Sequence, residues 1–217
     1  MTSPSSIAHR SIHELVADVV GGYVSELQQG YLADRSAAVA TLAQLRRGAG
    51  KLLQDVPELW GICGIERLYG EHGLHDGRSE HLRARAENAL FLAMTLYALH
   101  QQSHTKERMH VPKSELGAAV RRLMPADKID EPIRRRFVRL GTATNLEALA
   151  YRLREVISLL RREAIPLDYA LLARQLYEAQ LPDGLRQVRQ QWGRSFHAYR
   201  SESSSPSGED EPEKDDQ

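Results

Sequence analysis

The sequence predicts an all-α fold, and three observations carry the prediction. Leu and Ala together number 53 against 19 for Val and Ile, a balance that favours helix formers over the β-branched residues of strands. N-cap signals stand ahead of several segments, and the apolar residues inside those segments recur at three- and four-residue spacing. At 217 residues the chain is long enough to bury a real core as two packed helical bundles, with no need of disulfides or metals to hold it.

Taken in order, residues 1–10 read as a flexible N-terminus. A helix over 12–29 starts at Ser11, which with Glu14 matches the S/T-x-x-E capping box. The next, 36–48, runs into LAQLRRGAGK at 42–51, where Gly48 or Gly50 supplies the left-handed conformation that closes a helix. Asp55 and Ser79 are N-cap candidates for helices over 55–63 and 79–101, which complete an N-terminal bundle at 11–101. Segment 70–78 reads as a loop, and 102–113 as a connecting loop and hinge.

The C-terminal bundle, 114–200, holds helices over 114–124, 130–140, 145–163, 168–180 and 183–199, nine in all with the first four. Ser114, Asp130 and Asp168 are simple N-caps, and Thr144 with Glu147 forms a second capping box. In 145–163, Leu146, Leu149, Ala150, Leu153, Val156, Ile157 and Leu160 make one apolar stripe. The last helix repeats the pattern with Leu185, Val188, Trp192, Phe196 and Tyr199. These stripes are core-facing, not cofactor-binding. Residues 201–217, SESSSPSGEDEPEKDDQ, have too little apolar area to offset their ordering entropy and read as a disordered acidic tail, with folding back on the basic body as a competitor for nucleic acid as the alternative.

Enzyme chemistry finds no frame. There is no G-x-S-x-G elbow, and GAGKL at 48–52 lacks both the upstream Gly of a phosphate loop and the Ser or Thr after its Lys. His100 and His104 stand one helical turn apart with His110 nearby, and His72, His75 and His81 form a looser group. Gln101 occupies the place of the zincin Glu, so the default is solvated loop histidines, with no metal and no cofactor. Cys63 is the only cysteine and reads as inert and partly buried. With no secretory segment and no apolar run of membrane length, the expectation is a cytoplasmic protein without a membrane partner.

Charge is more informative. The 29 basic and 29 acidic residues cancel, but the tail alone holds seven acids and one Lys, which leaves residues 1–200 with 28 bases against 22 acids. Eleven bases and five acids between Arg121 and Arg162 account for that excess. In IRRRFVRL, 133–140, the apolar Ile133, Phe137 and Leu140 share a face. Arg135 and Arg139 therefore point away from the core, with Arg134 and Arg136 flanking it. Arg152, Arg154, Arg161 and Arg162 lie off the buried stripe of the following helix, and Arg46, Arg47 and Lys51 end LAQLRRGAGK. Glu147 or Glu155 is placed to neutralise part of the cluster. Guanidinium groups bind phosphate bidentately, so the pattern points to sequence-independent contact with nucleic-acid backbones rather than base readout.

The segments 134–180 (RRRFVRLGTATNLEALAYRLREVISLLRREAIPLDYALLARQLYEAQ), 42–51 and 187–196 (QVRQQWGRSF) together resemble the CasB family, the small subunit of the type I-E CRISPR surveillance complex called Cascade. The resemblance implies an all-helical, non-catalytic subunit present as two copies, so that a second copy of the chain is one partner. It also implies contacts with the backbone and large subunits, and binding to the CRISPR RNA complex and to single-stranded DNA so as to stabilise the R-loop. On the family's pattern, Arg46 and Arg47 match a helix-ending basic pair, Arg134, Arg135, Arg136 and Arg139 a central basic helix, and Arg152 a further basic position. YRLR at 151–154 places Tyr151 where the family often has His, and YEAQLPDGL departs from its usual Trp-containing turn. The alternative reading is a free-standing helical DNA-binding regulator.

Overall fold

The computed structural model describes residues 11–70, 74 and 79–199. Among these residues there are eight α-helices and no strand; one isolated bridge joins His110 to Leu167. The helices are α1 (Ile12–Leu32), α2 (Ser36–Leu45), α3 (Glu80–Gln101), α4 (Leu116–Arg122), α5 (Glu131–Gly141), α6 (Leu146–Arg162), α7 (Tyr169–Glu178) and α8 (Gly184–Ala198). Short 3-10 turns cover Arg46–Gly48, Leu53–Asp55, Pro57–Leu59 and Ile65–Tyr69. A helix expected over 55–63 is thus broken into 3-10 turns. Pro57 supplies no N–H to the turn before it, and Gly64, at φ +89°, sits in the left-handed region that ends a right-handed helix.

Caps set the other boundaries. The Glu14 carboxylate accepts from the Ser11 N–H at 3.3 Å and from the Ser11 hydroxyl at 2.7 Å. Asp130 Oδ1 accepts from the Ile133 N–H and Asp168 Oδ1 from the Leu171 N–H, both at 3.0 Å. At α6 the cap is Asn145, whose Oδ1 accepts from the Ala148 N–H at 2.8 Å, in place of the expected Thr144–Glu147 box. The hydroxyl of Ser114 donates to the Pro166 carbonyl instead of capping α4, which starts one residue later than it would from a Ser114 cap.

α3 is the central element, buried without a break from Ala89 to Ala98, and α1, α2, α6 and α7 pack around it. One connected set of buried apolar side chains runs from Ile12 to Phe196. The loop after α3 is tied down along its length. The Gln101 amide donates to the Glu107 carbonyl at 2.9 Å while its oxygen accepts from the Met109 N–H, and Gln28 on α1 bonds both the N–H and the carbonyl of His110. The histidines expected in solvent are therefore partly in the core. His100 is fully buried and pairs with the Tyr169 hydroxyl at 2.9 Å, and buried His110 accepts from the Tyr169 N–H at 3.1 Å. Their positions follow from the apolar run ahead of His100, which carries it inside. His72 and His75, the N-terminal ten residues and the acidic tail lie outside the described residues.

Candidate nucleic-acid interface

α5 is a helix built for its surface. Asp130 caps its start and Pro132 sits in its first turn, where a missing N–H costs nothing. Leu140 is its only fully buried residue; Ile133 and Phe137 are half-buried, and Phe137 stacks on Phe196 of α8 with ring centres 5.2 Å apart. Arg134, Arg135, Arg136 and Arg139 are all exposed. Arg134 is held on the Glu131 carboxylate at 2.9 and 3.1 Å, which raises its pKa further. Arg135, Arg136 and Arg139 have no carboxylate within ion-pair distance among the described residues; neither Glu147 nor Glu155 reaches them.

The second basic segment closes α2. Gly48 is packed so tightly that a Cβ there would lie 2.8 Å from both Leu59 and Phe91, and Gly50 follows at φ +81°. The Lys51 N–H bonds back to the Gly48 carbonyl at 3.0 Å. This tight turn leaves Arg47 and Lys51 exposed and Arg46 half-buried.

α6 joins the two. All seven apolar residues expected in its stripe face inward, six of them fully buried. On one flank the Arg154 stem lies against Gly50, where a Cβ would come within 2.8 Å of its Cδ. On the other flank the Arg152 guanidinium donates to the Arg139 carbonyl and to the Thr142 hydroxyl, so it caps the C-terminus of α5. Segments about a hundred residues apart in sequence are thereby set on either side of one helix. Tyr151, 55% exposed, stands between these flanks opposite the buried stripe.

Not every expected residue is free. Arg161 donates to the Gln102 side chain at 2.8 Å, and its carbonyl is 2.8 Å from His104 Nε2, so it anchors the loop after α3. Arg162 is exposed further along α6, beside a small hollow shared with Leu123 and Ile133. Sequence reasoning missed Arg189, whose guanidinium reaches from α8 to the Ala143 carbonyl at 2.8 Å and leaves a buried Nε without a hydrogen-bond partner among the described residues. It also missed the groove of about 250 Å³ between α5 and α8, lined by Phe137, Val138, Trp192 and Phe196. Exposed Val138 within an arginine-rich helix was the signal available.

Among the described residues no group of three His, Cys, Asp or Glu converges, and no helix is long and apolar enough to cross a membrane. Cys63 is fully buried, and burial pushes its thiol up to about 11, far from a reactive thiolate.

The family model for CRISPR-associated protein Cse2 matches residues 41–197, a span that contains all three basic segments. The chain belongs to the Cse2 family. Among solved structures, that of CasB from Thermobifida fusca is similar at 51% identity with a TM-score of 0.76, covering 85% of this chain and 98% of that one. No curated protein matches. For a Cse2 protein at that identity, the shared fold extends over most of the chain.

Proposed function

We propose that this chain is a non-catalytic subunit of an RNA-guided type I-E Cascade complex, and that its basic surface grips nucleic-acid backbones to stabilise the R-loop. Membership of the Cse2 family supports the assembly. The observation that supports the contact itself is the Arg154 stem lying against Gly50, in the turn that carries exposed Arg47 and Lys51, with Arg135, Arg136 and Arg139 on the far flank of α6 and no carboxylate opposing them among the described residues. The partners in this reading are the target and displaced single strands, the CRISPR RNA, the backbone and large subunits, and a second copy of the chain.

Strand exchange is nearly balanced in free energy, because the RNA–DNA duplex formed is about as stable as the DNA duplex it replaces. A few backbone contacts then decide whether the open state persists, and no base readout is needed. Arg152 and Arg161, committed to α5 and to the Gln102 loop, act as positioning residues in this scheme.

The test is the salt dependence of target binding by the assembled complex. Each lost phosphate contact removes roughly 0.7 to 0.9 from the slope of log K against log salt, so Ala at Arg46, Arg47, Arg135 and Arg139 flattens it by about 3 for each copy of the chain in contact with nucleic acid. An unchanged slope in a complex that still contains the mutant subunit would falsify the reading. Measurement in the complex matters, because neighbouring subunits supply effective concentration that the isolated chain lacks.

A further inference from the structure

We propose that residues 201–217 of this chain dock on the solvent face of α5 and occupy its arginines until a longer polyanion displaces them. The occupancy is independent of the proposed function; the displacement rests on it.

The docking face is defined by unmet charge. α5 carries Arg135, Arg136 and Arg139 exposed and without a carboxylate partner among the described residues, while its one acidic helical residue, Glu131, is already committed to Arg134. A single short helix with three uncompensated guanidiniums attracts any mobile anion within a screening length.

The chain itself leads an anion there. α8 ends at Ala198 against α5, since the Phe196 ring stacks on Phe137 and His197 lines the same groove as Arg134. Beyond it, residues 201–217 hold Glu202, Glu209, Asp210, Glu211, Glu213, Asp215 and Asp216 against the single Lys214. They contain no apolar side chain other than Pro, so the apolar groove holds nothing for them and charge alone selects their site. Ten residues separate Tyr199 from Glu209, a reach of up to ~33 Å, whereas α5 spans only ~16 Å. A tether of that length gives an effective concentration near the millimolar range. Contacts of this kind are individually weak and salt-sensitive, which is what a displaceable occupant requires.

The experiment uses the full-length chain and a full-length variant in which the seven acids are neutralised, Glu→Gln and Asp→Asn. At about 50 mM salt, the backbone amide signals of residues 134–141 differ between the two proteins. The difference fades near 0.5 M, where the screening length falls to about 4 Å. A single-stranded oligonucleotide of mixed sequence, titrated to millimolar concentration, binds the neutralised variant about five- to tenfold more tightly at low salt, the weight of two or three exposed ion pairs. Differences that fall on the Arg46–Lys51 turn, or nowhere on the body, overturn the docking. If the α5 signals differ but neither protein binds the oligonucleotide, docking stands and displacement by a free polyanion fails, while the proposed function is decided separately by the salt slope of the assembled complex. If both bind it equally with no difference at α5, docking fails and the proposed function stands.

Discussion

α3 and α5 use their surfaces in opposite ways. α3 has 22 residues of which 13 are buried, including ten in succession, so its whole circumference is committed to α1, α2, α6 and α7. α5 has 11 residues of which one is buried. The first can be changed almost nowhere without opening the core; the second meets the fold at Leu140, at half-buried Ile133 and Phe137, and at its two caps. Exposed charge accumulates where the scaffold asks least of a residue, and α5 is that place.

The largest effect that separates them is a truncation. Leu96→Ala in α3 removes a fully buried side chain and costs about 2 to 5 kcal/mol in urea unfolding, because the surrounding helices collapse only partly into the void. Arg135→Ala in α5 changes stability by no more than ~0.5 kcal/mol. Comparable losses from the two variants would erase the distinction.

Acid separates the helices next. His100 is buried in α3 with its Tyr169 partner directed at the Leu96 carbonyl, so Nδ1 is the donor and Nε2 has no hydrogen-bond partner among the described residues. Desolvation pulls its pKa down to about 3, helped by the charge of His104 and opposed by the nearby Ile165 and Leu160 carbonyls. A folded-state pKa below the unfolded value of about 6.5 means the unfolded chain takes up the proton first. Stability is therefore full above pH 6.5 and falls as the pH drops towards 3, with His110, also lowered by burial, adding to the loss in the same direction. His100→Asn reduces the slope of unfolding free energy against pH in that window. Arg135→Ala, far from the two buried histidines, leaves the slope unchanged.

The same contrast explains what could be read from sequence. Helix periodicity located α6 and α8, because Leu149, Leu153, Val156, Leu160, Val188 and Trp192 answer to one local rule and the structure buries all of them. It failed at 55–63, where Pro57 and Gly64 break a run that composition alone favours, and at Thr144, where Asn145 was the better-placed acceptor. His100 looked like a loop residue because its chemistry outweighed its position after an apolar run. The exposed arginines of α5 were legible as a cluster, but their relation to Arg47 and Lys51 was not. That relation depends on Gly50 meeting the stem of Arg154, a tertiary contact that no local pattern encodes.

The smallest effect divides α5 and its neighbour residue by residue. Arg152 and Arg139 are both arginines of the basic surface, yet Arg152 spends its guanidinium on the Arg139 carbonyl and the Thr142 hydroxyl, whereas the Arg139 side chain meets solvent. Arg152→Ala leaves the last turn of α5 without its donor and lowers stability by about 1 kcal/mol. Arg139→Ala leaves stability within ~0.5 kcal/mol and instead lowers the salt slope of target binding by roughly 0.7 to 0.9. Paired unfolding and binding measurements on the two variants check the division: equal destabilisation by both would mean that the solvent face of α5 is structural after all, and its arginines would lose their claim to bind anything else.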